Sequence, residues 1–308
     1  MEHKEFGSWL QATLGCKAQK LSVDAGLTCP NRDGTVGWGG CTFCDNRTFS
    51  PAYCRQAGTV TEQLEAGKRF FARKYPTLKY LAYFQAYTGT HAPLHRLRAL
   101  YQEALAVPDV VGLVIGTRPD CMPDPLLDYL EELHRRTFVL VEYGVESASD
   151  DTLRRVHRGH TFQQAQDAIR RTAARGLPVG AHMILGFPWE SHADLMRQAD
   201  LLATLPLTTL KLHQLQVIRG TALARDYEAA PWPMPTAQDY VNLVLDYVSH
   251  LPHTLVLERF VSQSPPEYVI APHWGLKNHE FAALVKAAMR EREEQGGEEQ
   301  AGAASLHT

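Results

Sequence analysis

Stretches with strand character recur roughly every 30 to 40 residues along the chain, and a stretch of helical periodicity follows nearly every one. That recurrence is the tightest constraint on the fold. A helix between two strands carries the chain back to the edge it started from, so the strands lie parallel in one sheet. The pattern predicts strands at 80–84, 110–115, 138–145, 179–185, 209–215 and 254–257, after an alternating run at 20–24. Helices are expected at 61–75, 94–106, 124–136, 191–204 and 237–251, with a helix pair across 150–175. Within 139–146, Glu142, Gly144 and Glu146 share one side of the strand and the valines share the other. Buried parallel strands avoid charge, so carboxylates on one face imply a wet or occupied interior rather than a doubly wound sheet. The expected fold is α/β, a partial (β/α)6 TIM-like barrel with a short C-terminal extension. No Gly-x-Gly-x-x-Gly follows the first strand and no Gly-x4-Gly-Lys-Ser/Thr occurs, which disfavours dinucleotide and P-loop folds.

The loop after the first strand carries Cys29, Cys41 and Cys44 in a Cys-x11-Cys-x2-Cys array, set among glycines that let backbone wrap closely around a compact body. Three thiolates are one short of the four ligands of a structural zinc site. On a four-iron cluster they would leave one iron open to an exogenous ligand. The loop alone leaves both readings standing. Under the zinc reading, Cys54 is the fourth ligand of a zinc-stabilised binding or scaffold protein on a degenerate barrel. Cys16, Cys54 and Cys121 are isolated, so a second iron–sulfur centre is not expected.

Six cysteines in 308 residues, three of them crowded on one loop, do not form a disulfide framework and suit a reducing cytoplasm. No apolar run reaches the roughly 20 residues of a membrane helix, and the first residues lack the apolar core of a secretory signal. The net charge of −3 gives no global basic field for nucleic acid. Only Arg154, Arg155, His157, Arg158 and His160 form a local basic group. A helix is expected at 277–290, and 291–308, rich in Glu, Gln, Gly and Ala, is expected to be disordered.

In α/β barrels the active site lies at the carboxyl ends of the strands. Here those ends carry the cysteine loop, Gln85 to His91, Gly116 to Cys121, Glu146 and Ser147, His182 to Glu190, and His213 to Arg219. Nearly every strand delivers polar or glycine-rich sequence to the same rim.

The motifs Cys29…Cys41-Thr-Phe-Cys44, Glu142-Tyr-Gly-Val-Glu-Ser147, Val156-His-Arg-Gly-His-Thr161 and Met183-Ile-Leu-Gly-Phe-Pro188 resemble those of radical S-adenosylmethionine (SAM) enzymes. The resemblance is to the YhcC-like subgroup, with a core akin to that of the Elp3 family. It implies a lead-in at 1–14, a radical SAM core domain at 15–260, a C-terminal extension at 261–290 and a tail at 291–308. It further implies that Cys29, Cys41 and Cys44 bind a [4Fe–4S] cluster whose fourth iron is chelated by SAM. One electron from an external flavodoxin- or ferredoxin-type reductant would then cleave SAM to a 5′-deoxyadenosyl radical that abstracts hydrogen from substrate. By the same resemblance Phe43 packs near the adenine, Glu146 and His182 contact the ribose, Arg158 pairs with the SAM carboxylate, and Gly186 lets backbone approach the adenine. The usual glycine-rich turn after strand two is replaced by Gln85-Ala-Tyr-Thr88, which leaves Gln85 and Thr88 as the candidate contacts for the SAM amino group. The substrate stays open among RNA, protein and small metabolite.

Overall fold

The first six strands of the sheet form in chain order, and a seventh extends it. They are β1 (Ala18–Val23), β2 (Lys79–Phe84), β3 (Val110–Thr117), β4 (Phe138–Glu146), β5 (Val179–Leu185) and β6 (Thr209–Gln214). After the two-residue strand β7 (Val217–Ile218), β8 (Val256–Arg259) joins the sheet beside β6. Every pairing in the order β1-β2-β3-β4-β5-β6-β8 is parallel. The result is a curled half-barrel. This computed structural model describes residues 3–56, 58–72 and 77–305.

The helices are α1 (Phe6–Leu14), α2 (Ala52–Gln56), α3 (Val60–Ala72), α4 (Leu94–Ala106), α5 (Asp124–His134) and α6 (Asp150–Arg155). They continue as α7 (Phe162–Ala174), α8 (His192–Ala203), α9 (Ala222–Ala229), α10 (Ala237–Ser249) and α11 (Asn278–Ser305). The helix expected at 61–75 is α3, and 73–75 lie outside the described residues. Capping boxes set three helix starts, with Thr161 and Gln164 opening α7, Ser191 and Asp194 opening α8, and Thr236 and Asp239 opening α10.

The period-two pattern of each strand separates two environments. Leu113, Ile115, Val139, Val141, Val179, Ala181, Leu210 and Leu212 face outward and are buried under the helices. The other side faces the lumen, which is built in layers. At its floor, Leu10 of α1, helped by Phe6, Trp9 and Leu14, packs on Leu81, Val114 and Leu140. The helix α1, within the segment read as a lead-in, therefore supplies the plug of the barrel, and Glu5 bridges to Leu257 of β8.

Above that floor lies an ionic layer. Glu142 accepts from Lys20 and Lys211, both at 2.6 Å, while Glu258 accepts from Lys20 at 2.6 Å and pairs with Lys211 at 3.1 Å. Lys20 stands on the first strand and Glu258 on the last, so their contact spans the seam that the sheet leaves unpaired. Glu142, one of the two carboxylates expected inside the barrel from the strand pattern, thus lies in this layer, and lysines neutralise it.

The C-terminal quarter folds back over the carboxyl rim. Strand β9 (Val269–Ala271) pairs antiparallel with β7. Ser262 bonds His213 at 2.6 Å and both ends of the Gln214 amide, and Ser264 donates to Gln216 at 2.8 Å. The segment expected to be disordered at 291–308 instead continues α11 as far as Ser305, with 306–308 outside the described residues. Alanine, glutamate and glutamine are strong helix formers, and here propensity prolongs a helix that starts against α10.

Glu142→Gln would leave two buried ammonium groups short of a counter-charge, so it is expected to cost about 3 to 5 kcal/mol in urea unfolding. Glu132→Gln, which breaks the exposed pair with Arg136 at 3.1 Å, is expected to cost under about 1 kcal/mol. The two lysines hold the Glu142 carboxyl well below the usual glutamate range despite its burial. The stability it contributes is therefore complete above the ordinary glutamate pKa and is lost progressively as pH falls from there toward the lower folded-state value.

Candidate active site

The cysteine loop closes on itself through its backbone. Arg32 and Asp33 donate to the Cys29 carbonyl at 2.8 and 3.1 Å, Gly40 donates to Asn31 at 2.8 Å, and Cys44 donates to Cys41 at 3.1 Å. Asn31 and Arg158 each aim an N–H at the Cys41 sulfur, at 3.6 and 3.5 Å. Arg32 donates to the Cys44 carbonyl at 2.8 Å. Burial, followed by the neighbouring Cys41, pushes the Cys44 thiol up to about 12, although Arg32 and Arg158 pull the other way. The Cys44 thiol so placed ionises only if a positively charged body lies against it. Donor N–H groups around the sulfurs suit the thiolates of such a body. The residues present fit an iron–sulfur cluster.

They do not fit zinc. Four donors about 2.3 Å from one ion must crowd together, and no such group of His, Cys, Asp or Glu occurs among the described residues. Cys54, the fourth ligand under that reading, turns its thiol to the Ser22 carbonyl at 3.1 Å.

Beside the loop a cleft opens at the carboxyl ends of the strands. Phe43, Cys44, Gln85, Glu146, Arg158 and His182 all line it, together with Glu142, Arg118 and His213. Glu146 reaches it through a register shift between β4 and β5 that falls at Gly144/Glu146. Its backbone is left-handed, with φ of 70°, a conformation a non-glycine residue adopts only when its surroundings impose it. Gly144 makes the fold around it feasible, because a Cβ there would lie 2.5 Å from both Arg158 Nη2 and Glu146 Oε1. Burial raises the Glu146 carboxyl above its ordinary value although Arg158, 3.3 Å away, draws it down.

Arg158 is largely committed. It donates through Nη2 to the Gly144 carbonyl at 2.6 Å, through Nε to His160 at 3.0 Å and through Nη1 to Cys41. Burial and the Arg158 charge depress His160 to about 3, so its imidazole is neutral. It accepts from Arg158 at Nε2 and donates from Nδ1 to the Thr161 carbonyl at 3.1 Å. His182 is likewise pushed down, to about 4, by burial and then by Lys211. Its Nε2 donates to Glu142 at 3.1 Å, which leaves Nδ1 as an acceptor.

Two candidates stand apart from the cleft. The Thr88 side chain is fully buried with no hydrogen-bond partner for its hydroxyl, and it does not line the cleft wall. Gly186 lies behind the wall with φ of 102°, and the nearest atom to a Cβ there would be in Leu215 at 3.9 Å. The Phe43 ring sits 6.4 Å from that of Phe187, within an apolar cluster that also includes Ile184 and Leu215. Sequence reading missed Asn31 and Arg32 as supports of the loop, although both fall between the cysteines. It also missed the partnership of Lys20, Lys211 and Glu258 with Glu142, since no spacing reveals which lysine faces the lumen.

Comparison with known proteins agrees with this geometry. The profile of the radical SAM superfamily matches residues 29–202, and that of the radical SAM C-terminal domain matches 207–291. The chain is 35% identical to YtqA of Bacillus subtilis over 92% of its own length and 88% of that protein. It is 36% identical to YhcC of Escherichia coli over 87% and 86% of the two chains. Its fold is similar to that of Elp3 from the archaeon Methanocaldococcus infernus, with a TM-score of 0.65 and 17% identity, over 90% of this chain and 63% of that one. The chain belongs to the radical SAM superfamily, as an enzyme similar to YhcC whose core is Elp3-like and whose family cofactors are a [4Fe–4S] cluster and SAM.

Proposed function

We propose that Cys29, Cys41 and Cys44 hold the [4Fe–4S] cluster, that SAM occupies the cleft beside them, and that substrate enters from the side of His213 and Ser262. Once bound, cluster and SAM would supply radical chemistry for hydrogen abstraction from substrate, with one electron from an external flavodoxin- or ferredoxin-type carrier and methionine as the leaving product. The observation that carries this reading is the position of Arg158, whose guanidinium touches both the Cys41 sulfur at 3.5 Å and Glu146 at 3.3 Å. It joins the cysteine loop to the cleft in one rigid unit.

The chain's own groups have distinct tasks. Glu146, an acceptor in its ionised form, binds the two ribose hydroxyls, and its raised pKa is drawn down again as those donors arrive. His182 offers its free Nδ1 to the ribose. Arg158 has too few uncommitted N–H groups for a two-pronged grip on the SAM carboxylate, so it gives one bond there while backing Glu146 and Cys41. Gln85, whose side-chain oxygen accepts from Ser22 at 3.2 Å, would serve the SAM amino group; Thr88 would support the turn from beneath, and Gly186 would leave room for the adenine. The aromatic cover of Phe43 and Phe187 keeps water from the radical. A reducing cytoplasm, in which thiols stay available to a cluster, suits this reading. The net charge of −3 gives nucleic acid no general attraction, so recognition of substrate rests with the cleft.

Cys29→Ala, Cys41→Ala and Cys44→Ala are each expected to abolish iron and sulfide uptake on anaerobic reconstitution, whereas Cys16→Ala keeps it. Equal loss in all four variants would refute the ligand set. Glu146→Gln is expected to keep full iron content and to weaken SAM binding by about 1.5 to 3 kcal/mol in equilibrium dialysis. An unchanged SAM affinity would remove Glu146 from the cofactor site.

A further inference from the structure

The charges around the cleft are paired, with one exception. Arg118 is matched by Asp120 at 2.9 Å and Arg158 by Glu146 at 3.3 Å. Behind the wall, Lys20 and Lys211 share Glu142 and Glu258. Arg259 also lines the cleft and is half-buried. Among the described residues its side chain makes no hydrogen bond, ion pair or ring contact. A guanidinium withdrawn from water without a partner is a cost to the fold unless something else supplies the anion.

The backbone explains why Arg259 is left over. The pairing of β6 with β8 shifts register between Leu210 and Lys211. Glu258 points into the lysine layer, and its neighbour Arg259 is turned to the cleft instead of away from it. Around Arg259 the wall is polar but uncharged. Burial, followed by the neighbouring His182 and Arg259, pushes His213 well below the usual imidazole range, and its Nδ1 is engaged with Ser262 at 2.6 Å. Gln216 and Ser264 complete that side. The cleft thus carries one local positive charge in excess, on the wall opposite the strand that bears Glu146.

We propose that this is a substrate subsite, and that the enzyme grips its substrate by an anionic group, a carboxylate or a phosphate, seated on Arg259 with His213 and Ser264 beside it. The proposal rests on the reading of the cleft as the place where substrate meets the SAM-derived radical. It makes the substrate an anion at that end, and it makes Arg259 a specificity residue rather than a cofactor ligand. Because Arg259 has no partner, Arg259→Gln leaves no buried charge stranded and is expected to fold normally.

The test is thermal unfolding of the reconstituted enzyme with SAM bound, titrated at fixed ionic strength with malonate and separately with inorganic phosphate. A saturable rise in Tm with one of them is expected in the wild type, and its identity separates carboxylate from phosphate. Arg259→Gln is expected to raise the apparent Kd by at least about tenfold, with Arg259→Lys between the two. No response of the wild type to either anion, or the same response in Arg259→Gln, overturns the proposal. Iron content and SAM affinity, measured on the same samples, are expected to be unchanged in Arg259→Gln; a loss of SAM affinity would assign Arg259 to the cofactor and also overturn it. A wild type that takes up no iron sinks the cofactor reading, and the anion titration on that protein still decides this one.

Discussion

A half-barrel has a seam, and the contact of Lys20 with Glu258 across that seam is what the rest of this structure depends on. Seven parallel strands leave β1 and β8 unpaired with each other, and the outer edge of β8 meets only the backbone bridge from Glu5. No strand closes the gap, so side chains do. The ring of two lysines and two glutamates ties β1, β4, β6 and β8 at one level. It also separates two interiors. Below it the lumen is an apolar core that α1 seals; above it the lumen is polar and open. Had those positions been apolar, the core would have continued upward and filled the cleft. Burying four charges is not the most stable way to fill a barrel. It is a way to stop the filling at a defined height while keeping Glu142 ionised and able to orient His182.

The second organising feature is the turn at the end of β4. Glu146 takes a left-handed backbone, Gly144 yields the space, and Arg158 is drawn in from the segment after α6 to satisfy Cys41, Gly144 and Glu146 at once. The strain at Glu146 is held by that network. Its effect is to convert three separate sequence motifs into one surface.

Much of this was legible in the chain. The alternation of strand and helix specified a parallel barrel, and the parity of Glu142, Gly144 and Glu146 specified which face of β4 is polar. The spacing of Cys29, Cys41 and Cys44 marked the loop. What stayed hidden depends on distance in three dimensions. Lys20 lies 122 residues from Glu142 and 238 from Glu258, and neither lysine differs in local sequence from a surface lysine. Thr88 matched a motif position, yet its hydroxyl is buried beneath the rim, because Tyr87 takes a left-handed turn with φ of 56° that the sequence of this departure from the usual turn does not announce. The helix through Ser305 was missed because composition suited to disorder is also composition suited to a helix.

The stitching of Ser262 and Ser264 onto the end of β6 has a wider meaning. The cysteines, Glu146, Arg158 and His182 all belong to the stretch matched by the superfamily profile, whereas His213, Arg259 and the two serines belong to the stretch matched by the C-terminal one. Each half of the cleft is thus encoded by a different portion of the chain, and the two portions meet where β5 pairs with β6. A substitution on the wall that bears Arg259 and His213 therefore alters the cleft without touching the cysteine loop, Glu146 or Arg158.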